Sequence, residues 1–189
     1  MRFIELNIQG CYALTSEDYR EDERGFFTQL FCHKQLKWTY PSIDFNINEI
    51  NIVNTKKKGT IRGLHYQISP HEETKVVMSL QGFIQYVILD LRKGSPTYHR
   101  IVSTLVTPIG FKGSSSLLYI PGGCAHGYLS LTNDVYIMYF TSGEYHQESE
   151  RGIRWDDPHF NFCWKINKKL TISEKDKNFL PFKEENKVE

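Results

Sequence analysis

Short runs of β-branched and aromatic residues recur along the chain, and turn-forming residues separate them. Runs of this kind, bounded by Gly, Pro, Asn and Ser as in RKGSP and IPGG, predict β-strands joined by tight turns. The five clearest runs are FNINEINIV (45–53), GFIQYVILDLR (82–92), IVSTLVT (101–107), SLLYIP (116–121) and DVYIMYFTS (134–142). A helical pattern is confined to TQLFCHKQL (28–36) and SEKDKNFL (173–180).

The close spacing of these strands leaves almost no room for helices between them, which favours an all-β antiparallel sandwich or barrel over a parallel α/β sheet. No internal repeat or change in composition marks a linker. Because 189 residues suit one buried core, we expect a single domain over residues 1–189. The polar end of the chain, about 183–189, is expected to be a flexible tail.

The net charge and the cysteine pattern indicate which binding partners and which cellular compartment to expect. A formal net charge of +1 gives no footprint for nucleic acid, and no run approaches the roughly 18 apolar residues of a membrane span. The four cysteines show no CxxC spacing. The first ten residues, MRFIELNIQG, lack the charged segment followed by an apolar segment that is typical of a secretory signal. We therefore expect a cytoplasmic protein with free thiols and no nucleic-acid or membrane partner.

The stretch RGLHYQ places Arg62 and His65 inside an otherwise apolar strand. Taken alone, the pair is as compatible with a buried core histidine and a structural ion pair as with a binding site. Period-two alternation predicts two faces, the first with Ile61, Gly63 and His65 and the second with Arg62, Leu64 and Tyr66.

Three further residues are candidates for chemistry, although each has an ordinary structural explanation. Glycines on both sides of Cys124, Ala125 and His126 allow close approach of the backbone to a ligand, but a turn histidine fits as well. Tyr139 in a strand is normally a packing residue, and Asp176 in a polar segment is normally a cap or a surface charge.

No metal or cofactor is predicted. Metal-binding β-barrels often use an HxH pair with a nearby carboxylate, but residue 67, two positions after His65, is Gln. His71, Glu72 and Glu73 follow Pro70 without a recognisable ligand spacing, and the chain has no glycine-rich phosphate loop.

Six segments, taken together and in order, resemble the dTDP-4-dehydrorhamnose 3,5-epimerase family, with the present chain as a divergent member. The combination of RGLHYQ, a downstream AHG and a final SEKD segment is far more specific than any one motif. The segments cover nearly the whole chain and are DERGFFTQLF (22–31), KGTIRGLHYQ (58–67), LDLRKGSPTY (89–98), IPGGCAHGYL (120–129), GIRWDDP (152–158) and LTISEKD (170–176).

This resemblance implies a metal-free cupin jelly roll (a double-stranded β-helix) with short peripheral helices, usually a homodimer. It implies removal of a proton next to the C4 ketone of a nucleotide-diphosphate-linked 4-keto-6-deoxy sugar, and return of a proton to the opposite face, in activated-sugar synthesis for a polysaccharide or glycoconjugate. The N-terminal strand is a candidate for exchange between the subunits.

Four catalytic roles are carried over from the family. By resemblance His65 is the base, and a histidine with its ordinary pKa of about 6.5 can accept a proton near neutral pH. The carboxylate of Asp176 orients that imidazole. Tyr139 resembles the acid on the other face of the sugar, and Lys75 resembles the cation that stabilises the enolate.

The substrate-binding positions are also carried over from the family. Arg62, Arg24 and Lys175 match basic positions near the diphosphate, and His126 matches a histidine near the sugar. Further substrate contacts fall on Gln29, Glu49, Asn51 and Tyr145.

The chain departs from the family pattern at four of its positions. Gln29 replaces a glutamate and Glu49 replaces a glutamine near the nucleoside, so dTDP, GDP, CDP and UDP all remain open as the carrier. Met78 and Tyr86 replace charged residues that we expect at the floor of the site. This change could restrict the enzyme to C3 or C5 of the sugar.

Two alternatives stay open at the level of sequence. A cupin 3,4-ketoisomerase would use the same kind of base and enediol. A non-catalytic cupin that binds sugar nucleotides would bind the ligand without exchanging its protons with solvent.

Overall fold

The computed structural model describes residues 2–15, 18–40, 43, 45–111, 117–165 and 169–183. Two large sheets dominate the described residues. The first sheet has six antiparallel strands in the spatial order β1 (Arg2–Glu5), β2 (Tyr12–Thr15), β10 (Leu117–Ile120), β7 (Lys75–Gln81), β12 (Val135–Thr141) and β5 (Glu49–Thr55).

The second sheet lies against the first and carries most of the segments that resemble the family. Its antiparallel order is β13 (Glu150–Gly152), β6 (Thr60–Gln67), β11 (Cys124–Ser130), β8 (Ile84–Asp90) and β9 (Ile101–Val106). A two-residue strand, β14 (Thr171–Ile172), pairs in parallel with the beginning of β6. The predicted all-β class is confirmed.

The remaining elements are peripheral and short. They are the hairpin of β3 (Tyr19–Asp22) and β4 (Gly25–Thr28), the helices α1 (His33–Thr39) and α2 (Glu174–Lys177), and a 3₁₀ turn (Gln147–Ser149). Of the two predicted helices, the first was displaced along the chain and the second was too long. The prediction for 28–36 began in β4, because Thr28 pairs with Tyr19, and the prediction for 173–180 overran a helix of four residues.

The five strands predicted from sequence are present, with one shift in boundaries. The run 45–53 forms a strand only from Glu49, and that strand continues to Thr55. Residue 116 of the fourth run is outside the described residues. Seven strands were missed, namely β2, β3, β4, β7, β11, β13 and β14; most of them are too short to show period-two alternation.

The main core lies between the two sheets. Val77, Leu118 and Ile137 of the first sheet pack against residues such as Ile84 and Ile88 of the second. Two outer layers cover the other faces: α1 packs on the first sheet, and the segment around Phe160, Phe162 and Phe182 packs on the second. Strands β8 and β11 are consequently buried at every position, which explains their continuous apolar character.

A bulge in β6 corrects the predicted alternation. On β11, His126 pairs with His65 and Tyr128 pairs with Arg62, so two steps along β11 correspond to three steps along β6. The extra residue returns Arg62 to the face of His65. The prediction that they lie on opposite faces was therefore wrong, and both line the same cleft.

Two glycines make this bulge possible. Gly63 has φ +110°, and a Cβ there would lie 2.7 Å from the carbonyl oxygen of His126. A Cβ on Gly127 would lie 2.6 Å from the carbonyl oxygen of Arg62. The two backbones approach so closely that neither position accepts a side chain.

Two further predictions concern membrane-spanning segments and the C-terminal tail. Within the described ranges, no helix has the length and apolar composition needed to cross a bilayer. Apart from residue 183, the proposed flexible tail at 183–189 lies outside the described residues.

We expect Gly63→Ala to lower the free energy of unfolding by about 3 kcal/mol or more, since it combines a left-handed φ with a steric clash. Gly25→Ala is the matched control, because Gly25 has φ +123° but no atom within 4 Å of the added Cβ. The control should lose only about 1 kcal/mol. Urea unfolding measures both values, and equal losses would show that close approach to β11 does not constrain Gly63.

Candidate active site

A cleft of about 810 Å³ opens between the two sheets at one end of the sandwich. Strands β5, β7 and β12 line one wall, and strands β6 and β11 with helix α2 line the other. Ten of the twelve residues carried over from the family line this cleft: Glu49, Asn51, Arg62, His65, Lys75, His126, Tyr139, Tyr145, Lys175 and Asp176.

His65 and Asp176 form a hydrogen-bonded pair on the second wall. The Nε2 atom of His65 lies 2.7 Å from Oδ1 of Asp176. Because an ionised carboxylate can only accept, Nε2–H donates, and Nδ1 of His65 remains as a proton acceptor. The His65 side chain is 31% exposed and Asp176 is 4% exposed, so the carboxylate lies behind the ring.

The position of Asp176 is set by local sequence and by strand pairing. Ser173 is the N-cap of α2, and its hydroxyl accepts a hydrogen bond from the backbone N–H of Asp176 at 3.1 Å. The parallel pairing of Ile172 with Ile61 lays this short helix across β6. The N–H of Gly63, at the bulge, donates to the second carboxylate oxygen of Asp176 at 3.1 Å.

Asp176 is held in its ionised form. Burial alone would raise its pKa, but the hydrogen bond and charge of His65 and the donors at Gly63 and Ser173 outweigh that effect, and the pKa is lowered. A buried anion behind the ring stabilises the imidazolium that forms when His65 accepts a proton.

Tyr139 and Lys75 project from the opposite wall, on the neighbouring strands β12 and β7. Burial, with Tyr128 adding to it, raises the pKa of Tyr139 well above its usual value, although the charge of Arg62 acts against this. Tyr139 is thus a neutral phenol that can donate a proton. The ammonium of Lys75 is 2.7 Å from Oε1 of Glu73, which holds it at the cleft.

Arg62 is fixed between the walls. Its Nε donates to the hydroxyl of Thr55 at 3.1 Å, and Nη2 donates to the carbonyl of Asn54 at 3.3 Å. The same Thr55 hydroxyl is 2.7 Å from the hydroxyl of Tyr128. Neutral partners orient the guanidinium without neutralising it, so its charge remains available to an anionic ligand.

Residues 5–184 match the sequence profile of the dTDP-4-dehydrorhamnose 3,5-epimerase family. The chain belongs to this family. A dTDP-4-dehydrorhamnose 3,5-epimerase from Sinorhizobium fredii is 34% identical over 156 residues, which are 82% of this chain and 76% of the relative.

Solved structures agree with that assignment. The dTDP-4-dehydrorhamnose 3,5-epimerase of Elizabethkingia anophelis superposes with a TM-score of 0.89 at 28% identity, over 98% of each chain. A dTDP-6-deoxy-D-glucose-3,5-epimerase of Legionella pneumophila, solved with dTDP-4-keto-L-rhamnose, gives 0.83 at 30% identity and covers 93% of this chain and 89% of its own. The chain is an epimerase, and the predicted jelly-roll class is confirmed.

The rim of the epimerase cleft holds a polar cluster. Glu150 accepts hydrogen bonds from Tyr145 at 2.6 Å and Lys175 at 2.5 Å. Across the opening, Glu49 accepts from the side chain of Asn51 at 3.1 Å and from the backbone N–H of Tyr145 at 3.3 Å. These contacts organise the entrance where a polar ligand would extend from the sugar site.

Two predicted substrate contacts are not in the cleft. Arg24 and Gln29 lie at the β3–β4 hairpin and just beyond it, and Arg24 pairs with Asp22 of the same hairpin at 2.5 Å. Both side chains are exposed. In a single chain, neither residue lines the cleft with His65.

The prediction that Met78 alters the floor of the site was wrong. Met78 is 4% exposed and packs with Leu36 and Phe45 on the outer side of the first sheet. Its strand neighbour Val77 faces the core instead, so alternation turns Met78 away from the cleft. Tyr86, in contrast, lies beneath the cleft in contact with His126.

Sequence reasoning missed several residues that shape the site. Glu73, considered only as a metal ligand, lies in the segment that leads into β7 and pairs with the ammonium of Lys75. The pattern Ser173-x-x-Asp176 is a capping signature that could have been recognised. Glu150 carries no local signal, because only the pairing of β13 with β6 brings it to the rim.

No metal cluster is found in the described part of the epimerase: no three His, Cys, Asp or Glu side chains converge there. The ring of His71, once considered as a ligand, stacks on His146 with centroids 3.5 Å apart.

Asp176→Asn should make the fold less stable at neutral pH by about 1–3 kcal/mol, because it removes a buried charged acceptor. The folded-state pKa of Asp176 is lowered, so its contribution is present above the unfolded value of about 3.9 and is lost as pH falls below it. The difference between wild type and variant should shrink from pH 7 towards pH 3. Urea unfolding across this range measures it.

Glu174→Gln is the control, since Glu174 is an exposed residue of the same helix. Its stability should stay within about 0.5 kcal/mol of wild type at each pH. Other carboxylates also titrate at acidic pH, and Asp90 is one of them. Burial would raise the pKa of Asp90, but hydrogen bonds from Arg92, Ser95 and Thr97 lower it to about 2. Only the difference between proteins is therefore diagnostic, and a constant difference would argue against an ionised Asp176.

Proposed function

We propose that the chain epimerises a nucleotide-diphosphate-linked 4-keto-6-deoxy sugar at C3, C5 or both, with His65 as the base and Tyr139 as the acid. One observation carries this assignment: the histidine backed by a carboxylate and the neutral tyrosine belong to opposite walls of one cleft. Inversion of a carbon requires proton removal from one face of the sugar and proton delivery to the other.

The first step is proton abstraction next to the ketone. Nδ1 of His65 takes the proton on the α-carbon, the C–H electrons form a carbon–carbon double bond, and the ketone oxygen becomes an enolate. Asp176 stabilises the imidazolium that results. Lys75 supports the assignment, because a fixed cation at the cleft lowers the energy of the developing oxyanion by several kcal/mol.

The second step is protonation from the opposite face. Tyr139 gives its phenolic proton to the carbon, the double bond returns to the ketone, and the phenolate recovers a proton from solvent as His65 releases its own. Because burial raises the pKa of Tyr139, this residue stays protonated until the enolate forms. Each proton that leaves or enters the substrate is accounted for by His65, Tyr139 and solvent, and these steps use no redox cofactor and no metal.

The carrier part of the substrate would bind at the rim. Arg62 and Lys175 are cations suited to a diphosphate, and Glu49 with Asn51 would contact the nucleoside. Since Glu49 presents a carboxylate, it favours a base that offers hydrogen-bond donors. The relatives are named for dTDP-linked sugars. We propose a dTDP sugar or another nucleotide-diphosphate sugar as the substrate.

We further propose one domain per chain and a homodimer in which Arg24 and Gln29 serve the cleft of the partner. Both residues lie outside the cleft of their own chain. Their hairpin exposes Phe26 and Phe27, at 47% and 64%, and aromatic side chains this exposed favour burial in an interface. Strand β1 lies at a sheet edge, and this position supports its proposed exchange between the subunits.

The cytoplasm is the proposed compartment, and the product would supply polysaccharide or glycoconjugate synthesis. The four cysteines are all free, which fits a reducing environment.

Chelator-treated protein in D2O, supplied with dTDP-, GDP-, CDP- and UDP-4-keto-6-deoxy sugars, should incorporate deuterium at C3, C5 or both, as followed by NMR. His65→Asn should reduce exchange by at least about a hundredfold, because it removes the base. Wild-type-like exchange in that variant would overturn the assignment. A ketone moved to C3 would indicate a ketoisomerase, and tight binding without exchange would indicate a binding protein.

Tyr139→Phe is the matched variant for the acid. With His65 intact, deuterium should still enter the substrate with its configuration retained, while the inverted product falls by about a hundredfold. Loss of exchange and inversion in equal measure would contradict separate roles for the two walls. Unchanged inversion would remove Tyr139 from the mechanism.

The dimer is tested by mixing two inactive variants, Arg24→Ala and His65→Asn. If Arg24 acts across the interface, a mixed dimer has one intact cleft, and random mixing should restore about a quarter of wild-type activity. If Arg24 acts within its own chain, no intact cleft forms and no activity returns. Sedimentation of wild type should give a dimer, and a monomer would contradict the proposal.

A further inference from the structure

Two histidines of the cleft are partners across neighbouring strands but have different groups behind their rings. His65 on β6 pairs directly with His126 on β11, and both line the cleft. Asp176 lies behind His65. The hydroxyl of Tyr86, on β8, lies 2.8 Å from Nδ1 of His126. One ring is thus backed by an anion and the other by a neutral phenol.

The direction of the second hydrogen bond follows from burial. Tyr86 is fully buried, and among the described residues the ring of His126 is its one recorded hydrogen-bond partner. A buried phenol that accepted from Nδ1–H would leave its own proton without a partner, which is unfavourable. Tyr86 therefore donates, Nδ1 of His126 accepts, and the proton of the neutral ring is on Nε2.

The surroundings keep both partners neutral. Burial, with the charges of Lys75 on β7 and His65 on β6 adding to it, holds the pKa of His126 well below its ordinary value. Burial raises the pKa of Tyr86 well above 10, and Tyr139 on β12 and Tyr128 on β11 act in the same direction. No group among these supplies the negative charge that an imidazolium at position 126 would need.

We infer that Tyr86 is a positioning residue that fixes His126 as a neutral Nε2–H donor to the substrate's ketone oxygen, so that proton transfer on this wall is confined to His65. The inference rests on the proposed epimerase function. Two like residues on adjacent strands are divided into one base and one electrophile by the groups behind them. His126 then shares the enolate with Lys75 and takes no proton from carbon.

Spectroscopy of the ligand-free protein tests the positioning without reference to activity. Protein labelled with 15N-histidine should show, at pH 7, a protonated Nε2 and an unprotonated Nδ1 for His126, with His126→Gln used to assign the signals. Tyr86→Phe removes the donor and should give a mixture of the two tautomers. Tyr86→Asp supplies a carboxylate that can only accept, and should move a proton onto Nδ1.

Tyr128→Phe is the matched control for these spectra. It removes a hydroxyl from an adjacent buried tyrosine whose ring is 6.3 Å from that of Tyr86, but that hydroxyl bonds Thr55 and not His126. The tautomer of His126 should be unchanged in this variant. An Nδ1–H tautomer or an imidazolium in wild type at pH 7, or an unchanged tautomer in Tyr86→Phe, would overturn the inference.

Kinetics test the consequence for catalysis. Tyr86→Phe should lower kcat about tenfold and change KM less than about threefold, because the donor acts on the oxyanion that develops in the transition state. An unchanged kcat with an altered tautomer would overturn the role of His126 towards the ketone. If wild type has the expected tautomer but exchanges no proton of any substrate, the proposed function fails while the positioning by Tyr86 stands.

Discussion

The hydrogen bond between His65 and Asp176 is the constraint on which the site depends. It joins residues 111 positions apart in sequence, and each side of it is held by a separate device. A glycine bulge turns His65 and Arg62 to one face and offers an N–H to the carboxylate. A capped helix of four residues, laid across the same strand by a two-residue parallel pairing, presents Asp176. Loss of either device would separate a base from the anion that stabilises its charged form.

The sandwich architecture supplies the second requirement, which is chemistry on both faces of one ligand. Two sheets that pack through a common apolar core diverge at one end, and the polar residues there face each other instead of the core. The base belongs to one sheet, and the acid and the lysine belong to the other. Packed layers cover much of the outer face of each sheet, and His65, Tyr139 and Lys75 project from strands rather than from loops.

Local electrostatics give similar side chains different chemical roles. Asp176 lies behind the ring of His65 and accepts its hydrogen bond, whereas burial and the charges of Lys75 and His65 hold the pKa of His126 well below its ordinary value. Tyr139 and Tyr86 are both phenols with raised pKa, but Tyr139 lines the cleft and Tyr86 lies beneath it, so one faces a ligand and the other faces a protein nitrogen. The identity of a residue therefore sets what it can do, and its neighbours decide which role it takes.

The sequence by itself determined the all-β class, five of the strands and ten of the residues that line the cleft, because β-branched runs, turn residues and an ordered set of motifs are local signals. Only the tertiary structure decided that Arg62 and His65 share a face, that Met78 points away, and that Arg24 and Gln29 lie outside the cleft. A single bulge reverses every side chain beyond it, and no local pattern reports the extra residue. The contacts of Glu150 and Tyr86 are equally non-local, since strand pairing sets the neighbours of each side chain.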